Sequence, residues 1–155
     1  MIDIVAHTME YNCGLLESNI TLEQYSDKYF HEYKRIYEDC FHEMRTTLGL
    51  YPVNDCDSRE ELLKKANDIF LYIEDNVLIG SIAIYGNEID DLIVAKKYQR
   101  NGYGLLLLNF AITKMQKNNV SKIMLNVADW NKAAINLYLK NGFHITKTET
   151  IKRSK

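Results

Sequence analysis

The chain has 155 residues, of which 46% are hydrophobic, and a formal net charge of −2 at pH 7. This length fits one domain, residues 1–155, with a sizeable buried core, and the lack of a basic excess argues against nucleic-acid binding. The three widely spaced cysteines contain no CxxC pair, so they predict neither a disulfide framework nor a zinc site and favour a reducing compartment.

The N-terminal stretch MIDIVAHTMEYN contains acidic residues and lacks both a basic start and a long apolar run. It therefore does not have the pattern of a signal peptide. No stretch reaches the roughly 18 apolar residues that a membrane span requires. We expect a soluble, cytoplasmic protein that does not bind membranes.

The first half of the chain predicts two helices and then three strands. Apolar residues recur every three to four positions from Tyr29 to Leu48, which predicts a long amphipathic helix that ends at Gly49. The SREE motif at 58–61 predicts a capping box and a short helix through about residue 67. Aromatic and β-branched runs between turn signals then predict strands near 69–74, 78–85 and 88–95.

The second half alternates helices and strands. The predicted elements are a buried helix at 105–115, a strand at 122–128, a helix between a capping Asn131 and a C′ residue Gly142, and a strand at 144–151. Antiparallel hairpins followed by a strand–helix–strand unit predict an α/β fold. Its central sheet is mixed and mostly antiparallel, with one parallel junction in the middle and helices on its faces.

Two glycines, Gly102 and Gly104, stand directly before the apolar helix. A helix N-terminus is a ready site for an anion such as a phosphate, and glycine allows the backbone to come close to it. A tight turn without any ligand explains a bare GxG equally well. The sequence contains no GxxxxGK[ST] motif, and Leu107 stands where a dinucleotide fingerprint requires a third glycine.

A different pattern fits this segment better. The stretch Gln99-Arg100-Asn101-Gly102-Tyr103-Gly104 resembles the Q/R-x-x-G-x-G/A signature of the GCN5-related N-acetyltransferase (GNAT) family. A second block, LNVADWNKAAINLYLKNGF, resembles the N-x-x-A-x-x-L-Y-x-x-x-G-F pattern of the same family. The two blocks occur in the family order, and the resemblance covers about residues 70–143.

The resemblance implies acetyl-CoA as cosubstrate, without a metal. The pantetheine arm is expected to pair with the strand near 88–95, which in the family splays away from the parallel strand near 122–128, and the pyrophosphate is expected at the glycine loop. The implied cofactor-binding residues are Leu92, Ile93, Val94, Gln99, Arg100, Asn101, Gly102, Tyr103, Gly104, Leu105, Asn131 and Tyr138.

Acetyl transfer to an amine requires a base for the amine proton and benefits from an acid at the leaving sulfur. The resemblance implies Tyr138 as the general acid and Glu88 as the general base, acting directly or through a water. Strand alternation places Glu88 and Asp90 on one face with Leu92, and Asp91 on the other face. Asn126 occupies a position where one branch of the family has a glutamate base, so that mechanism does not transfer.

The expected reaction is direct transfer of an acetyl group to a primary amine of a small molecule or peptide. Two alternatives stay open, namely a non-catalytic sensor of acetyl-CoA or CoA, and a transferase for a larger acyl group. Three carboxylates, those of Asp55, Asp57 and Glu60, lie near the loop between the first two helices and are candidates for attracting a cationic amine. A solvated loop explains them as well. A homodimer is common in the family, but no sequence feature here identifies an interface.

Overall fold

The computed structural model describes residues 3–152, which form a seven-stranded sheet with helices on both faces. The strands are β1 (Ile4–Tyr11), β2 (Glu23–Gln24), β3 (Ile69–Glu74), β4 (Val77–Tyr85), β5 (Glu88–Val94), β6 (Met124–Ala128) and β7 (Phe143–Ile151). The helices are α1 (Phe30–Thr47), α2 (Arg59–Lys64), α3 (Tyr103–Lys117) and α4 (Lys132–Lys140). The strand order is β2-β3-β4-β5-β6-β1-β7. The predicted fold class is confirmed.

Local sequence signals fix several of these boundaries. The predicted capping box at α2 is present, since the Ser58 hydroxyl accepts from the Glu61 N–H and the Glu61 carboxylate accepts from the Ser58 N–H. Asn131 caps α4 by accepting from the Ala134 N–H. Gly142 follows α4 with a φ of +93°, which is the left-handed conformation typical of a C′ glycine.

Two strands were not predicted. β1 lies in the middle of the sheet, between β6 and β7, and two-residue β2 forms an edge beside β3. Of the β1 residues, only His7 and Met9 are buried, so apolar alternation is weak along this strand. β1 is held by antiparallel pairing to strands more than 100 positions away, which no local pattern reveals.

The parallel junction is confirmed and is short. β5 and β6 pair in parallel only at Glu88↔Met124 and Ile89↔Leu125. Beyond Ile89, β5 keeps its pairing with β4 on one side but makes no ladder contact with β6. The two strands therefore diverge towards their carboxyl ends, and the edge of β5 from Asp91 to Val94 borders the opening.

A β-bulge in β5 corrects the predicted assignment of strand faces. Ala83 pairs with Asp90 and Ser81 with Ile93, so Asp91 and Leu92 together stand opposite a single β4 residue. Asp91 has a φ of +47° and is the inserted residue. As a result, Leu92 packs in the core on the α3 side, whereas Asp91 contacts Tyr37 of α1 on the face shared with Glu88 and Asp90. The predicted grouping of Leu92 with Glu88 and Asp90, with Asp91 opposite, is wrong because simple alternation ignores the bulge.

The sheet separates two hydrophobic cores. The larger core contains the buried face of α3 with α4, and the second contains the tyrosine-rich face of α1 with α2. Burying both faces stabilises the central strands β4 and β5 and holds the diverging edge of β5 in place. Among residues 3–152, no helix is both long and apolar enough to cross a membrane.

Candidate active site

A cleft of ≈ 640 Å³ opens where β5 and β6 diverge. Its walls come from four places: the carboxyl half of β5, the loop and first turn of α3, the start of α4, and the middle of α1. The lining residues are Cys40, Phe41, Glu43, Leu92, Ile93, Val94, Tyr98, Gln99, Arg100, Gly102, Tyr103, Gly104, Trp130, Asn131, Lys132, Ala133, Ala134 and Leu137. Ligands of α/β sheets commonly bind at such a divergence beyond the carboxyl ends of parallel strands.

The N-terminus of α3 forms one end of the cleft. Gly102 has a φ of +84° at the N-cap position, and no side chain caps the helix. The first intrahelical bond of α3 runs from the Leu106 N–H to the Gly102 carbonyl, so the N–H groups of Tyr103, Gly104 and Leu105 precede the helical ladder. No acidic residue lies in the first turn. This end of the cleft therefore offers backbone donors and the positive end of a helix dipole to an anion.

Beyond α3, the edge of β5 forms the floor of the cleft. The carbonyl of Val94 accepts from the Gln99 side-chain amide at 2.9 Å and from the Cys40 thiol at 3.2 Å. One of these side chains belongs to the loop and the other to α1. Together they hold the loop, the strand edge and α1 in a fixed arrangement around the opening.

The opposite wall is fixed by the turn between β6 and α4. Asn131 lines the cleft and caps α4, so its predicted cap is confirmed, and its contact with a cofactor stays a prediction. Asp129, two positions before Asn131, is held by β1, because its carboxylate accepts a 2.8 Å hydrogen bond from the ring of His7. This bond, followed by one from Lys132, lowers the pKa of Asp129.

Most of the predicted cofactor-binding residues meet at this cleft. Nine of them line it: Leu92, Ile93, Val94, Gln99, Arg100, Gly102, Tyr103, Gly104 and Asn131. Three others do not, namely Asn101, Leu105 and Tyr138. The Asn101 amide instead donates to the carbonyls of Tyr98 and Gln99 and braces the loop from within.

Sequence reasoning missed the contribution of α1 and of the residues around Asn131. Cys40, Phe41 and Glu43 face the cleft from α1, and Trp130 and Lys132 flank Asn131. The two flanking residues follow a strand of the parallel pair, and that position alone is a signal for a ligand site. The α1 residues carry no local signal, because helical periodicity shows which face is buried but not what it faces.

Glu88 belongs to a hydrogen-bonded row of side chains that crosses three strands. The Thr8 hydroxyl donates to the Asn126 carbonyl oxygen at 2.8 Å, and the Asn126 amide donates to Glu88 Oε1 at 3.1 Å. Burial, followed by the charge of Asp90, raises the pKa of Glu88, while the Asn126 bond opposes the shift. The net upward shift brings this carboxylate closer to the range of a general base.

Tyr138 is 8% exposed, and its ring lies 5.7 Å from that of Phe143. Its hydroxyl makes no hydrogen bond within the described part of the chain. Burial, followed by the charge of Asp90, raises the pKa of Tyr138 to about 12. This phenol therefore keeps its proton at neutral pH, as a general acid must.

The loop carboxylates that were candidates for amine binding are largely committed elsewhere. Asp55 lies 3.6 Å from a guanidinium nitrogen of Arg45, and Asp57 lies 2.7 Å from Lys65 Nζ. These contacts neutralise part of the negative charge of the loop and tie it to α1 and α2. Glu60 is exposed at the start of α2.

Similarity to known proteins shows the family of this chain. The profile of the acetyltransferase (GNAT) family matches residues 30–143. Streptothricin acetyltransferase A of Bacillus subtilis (strain 168) is 37% identical over 87 residues, which is 53% of this chain and 50% of that protein. An L-ornithine N5-acetyltransferase of Arabidopsis thaliana is 32% identical over 100 residues, which is 62% of this chain and 43% of that protein. The chain thus spans about half the length of the curated relatives it matches.

Solved structures show the same fold. A putative GNAT acetyltransferase from Novosphingobium aromaticivorans DSM 12444 superposes with a TM-score of 0.70 at 14% identity, over 97% of this chain and 63% of that one. The PaiA N-acetyltransferase of Thermoplasma acidophilum, solved in complex with coenzyme A, gives 0.67 at 22% identity, over 83% of this chain and 92% of that one. With the profile match over most of its length, the chain belongs to the acetyltransferase (GNAT) family.

Proposed function

We propose that this protein is an N-acetyltransferase that moves an acetyl group from acetyl-CoA to a primary amine by direct transfer. One observation carries the proposal: the unpaired edge of β5 runs into the uncapped N-terminus of α3 within a single cleft. An extended ligand with an amide-bearing arm and a pyrophosphate fits such a surface, because the arm pairs with the strand edge and the phosphates meet the helix donors.

The residues present fit this cosubstrate. Leu92, Ile93 and Val94 supply the strand edge, and the N–H groups around Gly102 and Gly104 supply the anion site. At position 104 a Cβ would meet only Leu137 Cδ2, at 3.7 Å, so this glycine keeps space open on the cleft side of the loop. Acetyl-CoA supplies the activated thioester, and the protein supplies orientation and proton transfer.

We assign the base to Glu88 and the acid to Tyr138. A protonated amine must lose a proton before it can attack, and the Glu88 carboxylate, held by the Asn126 amide, accepts that proton directly or through a water. The Tyr138 hydroxyl keeps a proton that can pass to the departing sulfur. A protein that only binds acetyl-CoA needs neither group, so these two side chains favour turnover over a sensor role.

The acceptor is an amine of a small molecule. The names of two relatives, one acting on streptothricin and the other on N5 of ornithine, support this class. Both relatives match over only about half of their length. Their names therefore support the class of acceptor, and the particular amine depends on the site residues of this protein.

Calorimetry with acetyl-CoA tests the proposal. Wild type is expected to bind in the micromolar range, and Gly104→Glu is expected to lose binding by at least about 100-fold because a carboxylate is placed at the anion site. Gly104→Ala is the matched control, since its Cβ makes an ordinary contact and adds no charge. A folded wild type that does not bind acetyl-CoA would refute the proposal, and binding without acetyl transfer to any amine would leave the sensor role or the transfer of a larger acyl group.

A further inference from the structure

The strand β7 forms one edge of the sheet and is exposed along most of its length. Within residues 3–152 it pairs with β1 alone, and every residue of the strand after Phe143 is exposed. The opposite edge is the two-residue strand β2. An edge strand presents a row of unpaired backbone N–H and C=O groups, to which another strand can bind. β7 is therefore the longer of the two edges that can accept a further strand.

Hydrogen bonds of β1 show which of its residues bond to β7. On the β6 side the Val5 carbonyl accepts from the Asp129 N–H, and on the β7 side the Asn12 N–H donates to the Gly142 carbonyl. Successive residues of a strand direct their backbone groups to opposite sides, and β1 pairs with β6 without a register shift. Odd-numbered β1 residues therefore bond to β6, and even-numbered ones bond to β7.

The register between β1 and β7 then identifies the outward backbone groups of β7. Ala6 stands opposite Glu149, and Thr8 stands opposite Lys147. Since both β1 residues are even-numbered, Glu149 and Lys147 direct their N–H and C=O groups towards β1. Thr148 lies between them, so it directs its N–H and C=O groups to the open edge. An antiparallel strand added to this edge can exchange two backbone hydrogen bonds with Thr148.

The sequence of β7 around Thr148 is complementary to itself. The segment ITKTETI, residues 145–151, reads the same in both directions except that lysine and glutamate exchange places. In an antiparallel pair of two copies centred on Thr148, Lys147 of each copy stands opposite Glu149 of the other. Lys147 and Glu149 lie on one face of β7, because their side chains form a 2.9 Å ion pair. The pattern identifies no interface by itself, and it becomes informative because β7 lies at an edge of the sheet.

The neighbouring registers of such a pair are unfavourable. An antiparallel ladder opposes residues that both bond outward, so the two-fold axis can move only by whole residues. An axis at Glu149 would place the Glu149 side chains of the two copies directly opposite each other, and an axis at Lys147 would oppose two lysines. Like charges directly opposite each other destabilise a strand pair, whereas an axis at Thr148 gives two pairs of opposite charge.

We propose that this protein forms a homodimer in which the β7 strands of two copies pair antiparallel about a two-fold axis at Thr148. A second copy is the partner of this edge because β7 complements its own charges in this register. The register shift beside Thr8 places a bulge at Thr146, which limits the length of the ladder. A short ladder predicts a weak dimer, with a dissociation constant of about 1–100 μM. The dimer is independent of the proposed function, because among residues 3–152 no β7 residue lines the cleft.

Sedimentation velocity of wild type and two charge-reversal variants tests the dimer. In Lys147→Glu each copy presents two glutamates, and in Glu149→Lys each copy presents two lysines, so like charges oppose each other in both homodimers. We expect each variant alone to raise the dissociation constant at least about tenfold. In an equimolar mixture of the two variants, every opposed pair again joins unlike charges. A heterodimer should therefore form with a dissociation constant within about threefold of that of wild type.

Glu23→Lys on β2 is the matched control, because it reverses an exposed charge on the opposite edge of the sheet. Its dissociation constant should stay within about threefold of that of wild type. Urea denaturation shows whether each variant is folded, and little loss of stability is expected because the Lys147–Glu149 pair is exposed. Recovery of the dimer in the mixture supports the proposal. A wild type that stays monomeric up to about 500 μM overturns it, as does a dimer that neither variant weakens or a mixture that does not regain the dimer.

Discussion

The cleft and the neighbouring face of β5 are built in different ways. The cleft is lined mainly by the carboxyl half of β5, the loop and first turn of α3 and the turn before α4, and at the α3 end it offers backbone N–H groups. Beside the cleft, the face of β5 that carries Asp90 and Asp91 meets α1 through side chains, with the Tyr37 hydroxyl donating to Asp91. A site made of backbone groups suits a ligand that is common to many related proteins, because it does not depend on side-chain identity. The specificity of a site made of side chains can change with a few substitutions. We therefore expect the cosubstrate to be set by the fold and the acceptor by this particular sequence.

Tyr138 does not line the cleft, and its substitution should separate catalysis from binding. Tyr138→Phe removes only the hydroxyl, so we expect kcat to fall by about 100- to 1,000-fold, as is typical for the loss of a general acid. Acetyl-CoA affinity should stay within about threefold, because Tyr138 does not line the cleft. Stopped-flow detection of the released thiol measures the rate.

Stability is the control for this variant. The Tyr138 hydroxyl has no hydrogen-bond partner in residues 3–152, so its removal should leave the free energy of unfolding unchanged or slightly higher. A full rate in Tyr138→Phe would show that the leaving sulfur obtains its proton elsewhere. Loss of acetyl-CoA binding would show instead that the ring shapes the cofactor end.

Substitution of Gly80 tests the edge of β5 that is proposed to bind the cosubstrate. A Cβ at this position would lie 2.6 Å from the carbonyl oxygen of Ile93 and 3.0 Å from Leu107 Cδ1, so β5 would have to shift where it floors the cleft. We expect Gly80→Ala to lower the free energy of unfolding by about 2–3 kcal/mol and to weaken acetyl-CoA binding by about tenfold. Urea denaturation and calorimetry measure the two effects. Unchanged acetyl-CoA affinity in the folded variant would argue against cofactor pairing with this edge.

Features that depend on neighbouring residues in the sequence were the ones that could be predicted. The loop Gln99–Gly104, the cap at Asn131 and the capping box at Ser58 are local patterns, since each depends on residues within a few positions. All three could be located before the structure was known. The bulge at Asp91 could not, because its only trace is one aspartate in a left-handed conformation, and the period of two in a strand pattern gives no indication of an inserted residue.

Elements that are held by residues distant in the sequence could not be predicted either, because no local pattern identifies their partners. β1 shows little apolar alternation because His7 and Thr8 bond polar side chains of neighbouring elements. Its pairing is with β6 and β7, which lie more than 100 positions away in the sequence. The role of Asn126 depends on two strands that it joins, since Thr8 and Glu88 are distant in sequence. Such partners are visible only once the strand order is known.

Asp91 should affect the pH dependence of the free energy of unfolding. Asp91 has a pKa of about 7 in the folded protein, against an ordinary value of 3.8, so the folded state holds a proton that the unfolded state has lost between these values. Stability therefore falls as pH rises from about 4 to about 7. The titratable groups near Asp91 are Asp90 of β5, Tyr33 and Tyr37 of α1, Tyr85 of β4, and Cys56, Asp57 and Lys65 around α2.

Asp91→Asn removes this titration. We expect the free energy of unfolding of wild type, relative to that of the variant, to fall by about 2 kcal/mol between pH 5 and pH 8, measured by urea denaturation. Other carboxylates cancel in the difference. A flat difference over this range would mean that Asp91 is already ionised at pH 5 and that burial does not raise its pKa as far as neutrality.

The smallest expected effect is that of Thr8, which is linked to Glu88 through Asn126. Thr8→Val keeps the branched shape but removes the donor to the Asn126 carbonyl, so the amide that holds Glu88 is less well oriented. We expect kcat/KM to fall by about threefold. Because the Asn126 bond lowers the pKa of Glu88, weakening it should move the acid limb of the pH–rate profile to higher pH. Asn126→Ala, which removes the donor altogether, should move the limb in the same direction and further. If neither variant moves this limb, Glu88 is not the group whose ionisation limits the rate.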